Sequence, residues 1–176
     1  MKLNRSLWLT GFAFSAMLYS SCLKKAGTYV DDLLYTSKSN LVELRQAEGQ
    51  QLPDPTDPVA IGYAPTPAEE SLLIAYVRLA SASLPTAPVT VKVKLNNSWL
   101  PAGYVPLPAN AYSFVTPPGN MTIPAQSRFA AIRIVLKKQL LDPAVHYGLG
   151  LELEDAGAGN GISERSSFIM VSPQPE

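Results

Sequence analysis

Hydrophobic and polar residues alternate in several separate stretches of the chain. The clearest stretch is VTVKVKLN at 89–96, in which Val91 and Val93 alternate with Lys92 and Lys94. A period of two places successive side chains on opposite faces of a strand, so this stretch predicts a half-buried β-strand. Three more stretches alternate in the same way and a fourth is a plausible final strand: 72–81, 128–138, 146–154 and 162–171.

The alternation also predicts which side chains face a core. We expect the inward positions to be Val89, Val91, Val93, Leu95, Leu73, Ala75, Val77, Leu79, Ala130, Ile132, Ile134, Leu136, Tyr147, Leu149, Leu151 and Leu153. We expect the outward positions to include Lys92, Lys94, Tyr76, Arg78, Phe129, Arg133, Lys137, Glu152 and Glu154. One buried face on each strand requires a second layer to cover it.

Turn signals separate these stretches. The segments LPTAP, TPPGN, LLDP and GAGNG lie between them, and QQLPDPTDP at 50–58 is predicted to be a loop. Sixteen prolines and eleven glycines are typical of many short strands rather than long helices. The sequence therefore predicts an all-β fold, an immunoglobulin-like antiparallel β-sandwich. The alternation stops at 97–104, where we expect one short helical turn.

The first residues have the pattern of an export signal. Lys2 and Arg5 precede an uncharged stretch at 7–19, which is shorter than the about 20 residues that a membrane-spanning helix needs. Two serines then precede Cys22, the only cysteine. This order resembles a bacterial lipoprotein signal, in which the cysteine is acylated and the peptide is cut just before it. An ordinary secretory signal with a chance cysteine is the alternative.

The lipoprotein interpretation divides the chain into three parts. Residues 1–21 are then the signal peptide, 22–39 a polar tether and 40–176 the sandwich domain. The lipid on Cys22 would hold the protein on a membrane, because each buried methylene contributes about 0.8 kcal/mol. No cofactor is expected besides this covalent lipid, and with its one cysteine acylated the domain has no disulfide.

We do not expect an enzyme. His146 is the only histidine and no G-x-S-x-G motif is present, so we expect His146 to be a surface residue. Sugar hydrolysis needs one carboxyl group in a protected site with a raised pKa. The carboxylate pairs lie instead in predicted solvated segments: Asp31 and Asp32, Glu69 and Glu70, and Glu152 and Glu154.

Metal and nucleic-acid partners are not expected either. Fourteen basic residues balance fourteen acidic ones, which argues against binding to a phosphate backbone. Glu154, Asp155 and Asn160 could supply oxygen ligands to calcium. A hairpin loop explains the same residues with fewer assumptions.

Four aromatic residues lie close together in the sequence, in and beside the predicted helical turn: Trp99, Tyr104, Tyr112 and Phe114. Exposed rings could stack on sugar faces, with Asn97 and its neighbours Asn96 and Asn110 supplying hydrogen bonds. Trp99, Tyr104, Tyr112 and Asn97 are therefore the candidate ligand-binding residues. The favoured alternative is that Tyr112 and Phe114 cap one end of the sandwich, because large rings in small sandwiches usually fill the core. In that case Trp99 would cover the core beneath the helical turn.

Four motifs follow one another in a fixed order: GYVPLPANAYSF at 103–114, MTIPAQSRFAAIRIVL at 121–136, LLDPAVHYGLGLELEDAG at 140–157 and ISERSSFIMV at 162–171. Together they resemble an N-terminal domain of unknown function in Bacteroidota cell-surface lipoproteins, found ahead of family 18 glycoside hydrolase and carbohydrate-binding modules. The resemblance covers about residues 29–172. The matching residues are Leu107, Pro108, Ala111, Tyr112, Ser113, Thr122, Ile123, Pro124, Ala125, Leu141, Asp142, Pro143, Tyr147 and Leu149. The chain departs from the family pattern at Gln126 and Gly150, where a glycine and a proline are common.

The resemblance implies a non-catalytic outer-membrane lipoprotein, an accessory binding or assembly module of a starch-utilisation type uptake complex. Its implied partners are the membrane, an outer-membrane transporter with its partner lipoprotein, and a glycan. The alternatives are a stand-alone glycan-binding lipoprotein using Trp99 and, last in rank, a small hydrolase. We expect the cell surface rather than the periplasmic face, although Lys24 and Lys25 follow Cys22 where surface export is associated with acidic residues.

Overall fold

The structure is a computed structural model that describes residues 40–47, 53–54 and 56–176. The predicted signal peptide, Cys22 and the predicted tether lie outside the described residues. Within the described ranges, no helix has both the length and the apolar character needed to cross a membrane.

Eleven strands make up most of the described chain. They are β1 (Asn40–Gln46), β2 (Val59–Tyr63), β3 (Glu69–Ala80), β4 (Val89–Leu95), β5 (Val105–Pro106), β6 (Tyr112–Phe114), β7 (Met121–Ile123), β8 (Phe129–Lys137), β9 (Tyr147–Asp155), β10 (Asn160–Ile162) and β11 (Phe168–Pro175). Short 3₁₀ turns occur at Asn97–Trp99, Pro118–Asn120 and Lys138–Leu140. The first of these lies where the sequence predicts a helical turn.

The strands form two sheets. The first has the order β10-β1-β3-β8-β6 and the second the order β2-β11-β9-β4-β7, with β5 also paired to β9. The succession β1-β3-β8-β6 opposite β11-β9-β4 is the A-B-E-D and G-F-C arrangement of an immunoglobulin domain. The predicted all-β, immunoglobulin-like sandwich is thus confirmed.

Not every pairing is antiparallel. Six of the nine pairings between described strands are antiparallel, whereas β1 with β10, β2 with β11 and β5 with β9 are parallel. The first two described strands therefore lie beside the last two described strands.

The core lies between the sheets and contains most of the predicted inward side chains. Those that are buried are Ala75, Val77, Leu79, Val91, Val93, Ile132, Ile134, Leu136, Leu149, Leu151 and Leu153. Val89, Ala130 and Tyr147 are partly buried and pack against this cluster. Lys92, Lys94, Arg133 and Glu154 are exposed, as the alternation predicts.

Two predicted inward positions are wrong. Leu73 is only half-buried, because a register shift in β3 between Leu73 and Ala75 reverses the alternation and buries Leu72 and Ile74 instead. Leu95 is the last residue of β4, where the strand ends, and 44% of it is exposed. Period-two reasoning assumes an unbroken strand, so it fails at a bulge and at a strand end.

A buried cation joins the β2–β3 connection to the end of β8. The Lys138 side chain is 6% exposed, and its Nζ lies 2.9 Å from Oε2 of Glu70. Lys138 Nζ also donates to the carbonyl oxygen of Ala64 and lies 5.8 Å from the centre of the Tyr63 ring. The ammonium group is thus compensated by a carboxylate, a carbonyl and an aromatic face.

Candidate functional site

The segment after β4 packs against β9 on the side opposite the core residues. Asn96 N donates to the carbonyl oxygen of Gly150 at 2.9 Å, and Gly150 N donates to Oδ1 of Asn97 at 2.9 Å. A Cβ at residue 150 would overlap the carbonyl oxygen of Asn96. The close approach of the Asn96 carbonyl to residue 150 therefore requires glycine. Proline would not serve at this position, because it has no backbone N–H to donate to Asn97 Oδ1.

Asn96 fixes the 3₁₀ turn that carries Trp99. Its Oδ1 accepts hydrogen bonds from the Ser98 backbone N at 3.1 Å and from Ser98 Oγ at 2.5 Å. Its Nδ2 donates to Oε2 of Glu152 on β9 at 2.6 Å. One side chain thus caps the turn and attaches it to the neighbouring strand.

Trp99 is the most exposed large hydrophobic side chain of the described residues. It is 61% exposed, and its ring centre lies 5.7 Å from that of Phe168 at an angle of 46°. The expectation that Trp99 covers the core is therefore wrong, because the ring sits on an outer sheet surface. An exposed indole held by a second ring is suited to stacking on a ligand.

A shallow cleft of about 180 Å³ lies beside the Trp99 ring. It is open to solvent, and its lining combines two aromatic rings with polar and charged groups. The lining residues are Pro53, Trp99, Glu152, Glu164, Arg165, Ser167 and Phe168.

One wall of the cleft belongs to the turn at 163–167, which carries the exposed side chains of Glu164 and Arg165. Backbone hydrogen bonds fix this turn to both sheets: Leu44 N donates to Ser166 O at 2.7 Å, and Leu153 N donates to Ser167 O at 2.7 Å. Two charged side chains are thus presented from a backbone that is held on both sides.

The predicted ligand-binding residues do not form one platform. Tyr104 lies 5.9 Å from the His146 ring, and Tyr112 forms an edge-to-face pair with Phe114 at 5.6 Å. Tyr112 and Phe114 pack against the core, and burial raises the pKa of the Tyr112 phenol. Trp99 is the predicted candidate that lines the cleft, while the Asn97 oxygen is occupied by Gly150.

Sequence reasoning missed Phe168, Glu164 and Arg165. Phe168 begins the apolar run FIMV, in which Ile169, Met170 and Val171 are all buried, so no alternation distinguishes Phe168 from its neighbours. The turn residues carried no signal either, because their proximity to Trp99 depends on the pairing of β11 with β9.

The acid–base and metal candidates have other contacts. Glu70 pairs with Lys138, and His146 is exposed beside Tyr104. Asp155 Oδ1 accepts from Gly157 N at 2.9 Å, and Asn160 Nδ2 donates to Ala156 O at 3.2 Å, so both shape the β9–β10 loop. Within the described ranges, no three His, Cys, Asp or Glu side chains are grouped as a metal site. Asp31 and Asp32 lie outside the described residues.

No family model and no curated protein sequence matches this chain. Several solved structures do match its fold. One is a Bacteroides ovatus multidomain protein that includes DUF1735, with a TM-score of 0.56, 13% identity, and 77% of this chain and 45% of that chain covered.

Two further neighbours are connected with glycans. The first is EndoBT-3987 of Bacteroides thetaiotamicron, in complex with a Man5GlcNAc product, with a TM-score of 0.54, 13% identity, and 75% of this chain and 30% of that chain covered. The second is a proposed carbohydrate binding protein of Bacteroides ovatus, with a TM-score of 0.50 and 10% identity. The match covers 75% of this chain and 36% of that chain. This chain spans less than half the length of each of the three neighbours, and at such low sequence identities the structural likeness shows a shared fold alone.

Proposed function

We propose that this protein is a non-catalytic glycan-binding module of the outer membrane, anchored through a lipid on Cys22 and acting as an accessory to a glycan-uptake complex. The observation that carries the proposal is the Trp99 ring, 61% exposed at the edge of a cleft that also contains Phe168 and three charged side chains. Aromatic rings beside hydrogen-bonding groups suit sugars, which have both C–H faces and hydroxyl groups.

The structural neighbours support this proposal. They come from Bacteroides, as the sequence resemblance implies, and they include a proposed carbohydrate binding protein and a protein bound to a Man5GlcNAc product. The remainder of the proposal, namely the lipid anchor, the surface location and the transporter partner, rests on the signal pattern and on the family resemblance.

A glycan array tests the proposal. The full chain is purified in a detergent without a sugar head group and applied as wild type, as Trp99→Ala and as Leu84→Ala. Leu84 is another exposed apolar side chain, 43% exposed, and it does not line the cleft. We expect glycan binding by the wild type and by Leu84→Ala, and its loss in Trp99→Ala. Binding that is unaffected by Trp99→Ala would contradict a glycan site at this cleft.

A further inference from the structure

The cleft beside Trp99 has room for about one sugar ring. Its volume is about 180 Å³, whereas sites that enclose a drug-sized molecule measure about 300–1,000 Å³. Trp99 and Phe168 form its aromatic side, on which the C–H face of a sugar ring can pack. A longer glycan would leave the cleft through its open side and continue along the surface.

The charges around the cleft are balanced. Glu152, Glu164 and Arg165 line it, and Lys94 pairs with Glu152 at an Nζ–Oε2 distance of 3.5 Å. Two carboxylates are thus matched by two cations. This balance gives a sugar acid or an amino sugar no net attraction that would offset the desolvation of its own charge. A neutral sugar carries no charge to desolvate.

Glu152 is oriented by partners that use one of its two oxygens. Asn96 Nδ2 donates to Oε2 at 2.6 Å, and the Lys94 ammonium lies beside the same Oε2. The second oxygen, Oε1, receives neither of these contacts. A carboxylate accepts up to about four hydrogen bonds, and those to an ionised group are the stronger ones.

From these three observations we infer that the cleft binds one uncharged pyranose ring of a glycan, with the ring packed on Trp99 and its hydroxyl groups donating to Glu152. The inference rests on the proposed function. It adds the class of ligand and the residue that accepts hydrogen bonds from the sugar hydroxyl groups. Asn96 acts as a positioning residue, because it holds the Glu152 carboxylate and caps the turn of Trp99.

Titration calorimetry of the full chain, in a detergent without a sugar head group, tests this inference. The probes are neutral gluco-, manno- and xylo-oligosaccharides, with galacturonate oligosaccharides and chitosan oligosaccharides as the acidic and basic counterparts. We expect binding of a neutral probe and about ten- to a hundredfold weaker binding in Glu152→Gln. The glutamine amide is uncharged and has one acceptor oxygen, which Asn96 Nδ2 would engage, so a sugar hydroxyl would lose its charged acceptor. Glu154→Gln is the matched control. It makes the same change two residues further along β9, outside the cleft lining, and should leave the affinity unchanged.

The outcomes separate this inference from the proposed function. If Trp99→Ala abolishes binding of a neutral probe but Glu152→Gln binds it as tightly as the wild type, the role of Glu152 is wrong. The glycan site at the cleft is then still supported. If the wild type binds the acidic or the basic probe more tightly than the neutral probes, the assignment of a neutral ligand is wrong. This comparison uses the wild-type protein alone, so it does not depend on the folding of a variant. Binding that survives Trp99→Ala overturns the proposed function and this inference together.

Discussion

Oδ1 of Asn97 accepts a hydrogen bond from the backbone N of Gly150 at 2.9 Å, across 53 residues of sequence. The adjacent Asn96 donates its backbone N–H to the carbonyl oxygen of the same glycine at 2.9 Å. Asn97 was a predicted ligand-binding residue, and its oxygen instead holds the turn against β9. The position of Trp99 therefore depends on a glycine in a distant strand.

Gly150→Ala should displace the Trp99 turn and lower the free energy of unfolding. The new Cβ would overlap a backbone carbonyl, which cannot move as a flexible side chain does, and overpacking of this kind costs about 1–3 kcal/mol. Urea unfolding followed by tryptophan fluorescence measures both effects. Gly119→Ala is the control, because nothing lies within 4 Å of a Cβ built there. Equal losses in the two variants would contradict the close packing at Gly150.

Val93→Asp should cost several kcal/mol of a total stability that is typically about 5–15 kcal/mol, because it buries an unpaired carboxylate. Val93 is 2% exposed in the core between the sheets. Lys92→Asp, one residue earlier on the exposed face, should cost under about 0.5 kcal/mol. Thermal unfolding of the domain without its signal compares them. A similar loss in both would show that β4 is not half-buried.

The fold was predictable because its strands follow simple alternation. The buried and exposed faces of a half-buried strand can be identified from its own residues alone. The predicted inward positions in β8 and β9 are therefore correct: Ile132, Ile134, Leu149 and Leu151. Leu73 was misplaced because a bulge depends on the partner strand, which the alternation within one strand does not reveal.

The site was less predictable, because it is assembled from four separate parts of the chain. Trp99 was identified as a candidate, but Pro53, Glu164 and Phe168 reach it only through loop packing and the pairing of β11 with β9. Closeness in sequence grouped Trp99 with Tyr112, which lies on the opposite sheet and packs on the core. Proximity along a chain is a weak guide to proximity in a sandwich, where neighbouring strands come from distant segments.

Glu70→Gln should destabilise the domain by about 1–3 kcal/mol, because it leaves the buried Lys138 ammonium without its carboxylate. Glu70 is itself 31% exposed, so solvent screening keeps the effect below that of a fully buried pair. Glu69→Gln, at the exposed neighbouring position, should change stability by less than about 0.5 kcal/mol. Urea unfolding at constant pH distinguishes the two. A loss confined to Glu69→Gln would refute the ion-pair assignment.

The Tyr112 phenol should ionise above its ordinary pKa of about 10, because burial disfavours the charged form. A phenol whose pKa is raised on folding contributes stability that is fully present below the unfolded pKa and is lost as the pH rises through the folded pKa. Tyrosinate absorbance of the wild type and of Tyr112→Phe measures this. The absorbance difference between the two proteins, which reports the ionisation of Tyr112, should appear at a higher pH than the ionisation of the tyrosines in the urea-unfolded chain. A difference that titrates together with the unfolded chain would rule out the burial of Tyr112.

Cys22→Ser should release the protein from the membrane fraction or leave the precursor uncut, because serine provides no sulfur for acylation. Fractionation with a blot of precursor and mature chain measures both. Cells expressing the wild-type protein provide the matched reference. A processed Cys22→Ser protein that remains in the membrane fraction would exclude a lipid anchor at this residue.

The pairing of β2 with β11 sets the order in which the domain can be completed. β11 lies between β2 and β9 in the second sheet, so β2 has no described neighbour there until the last strand is present. Chains that depend on such distant pairings fold slowly, in about milliseconds to seconds. Because β11 follows the other ten described strands along the chain, β2 is synthesised long before the strand with which it pairs. The second sheet therefore stays open at the β9 edge until the segment of β11 has been made.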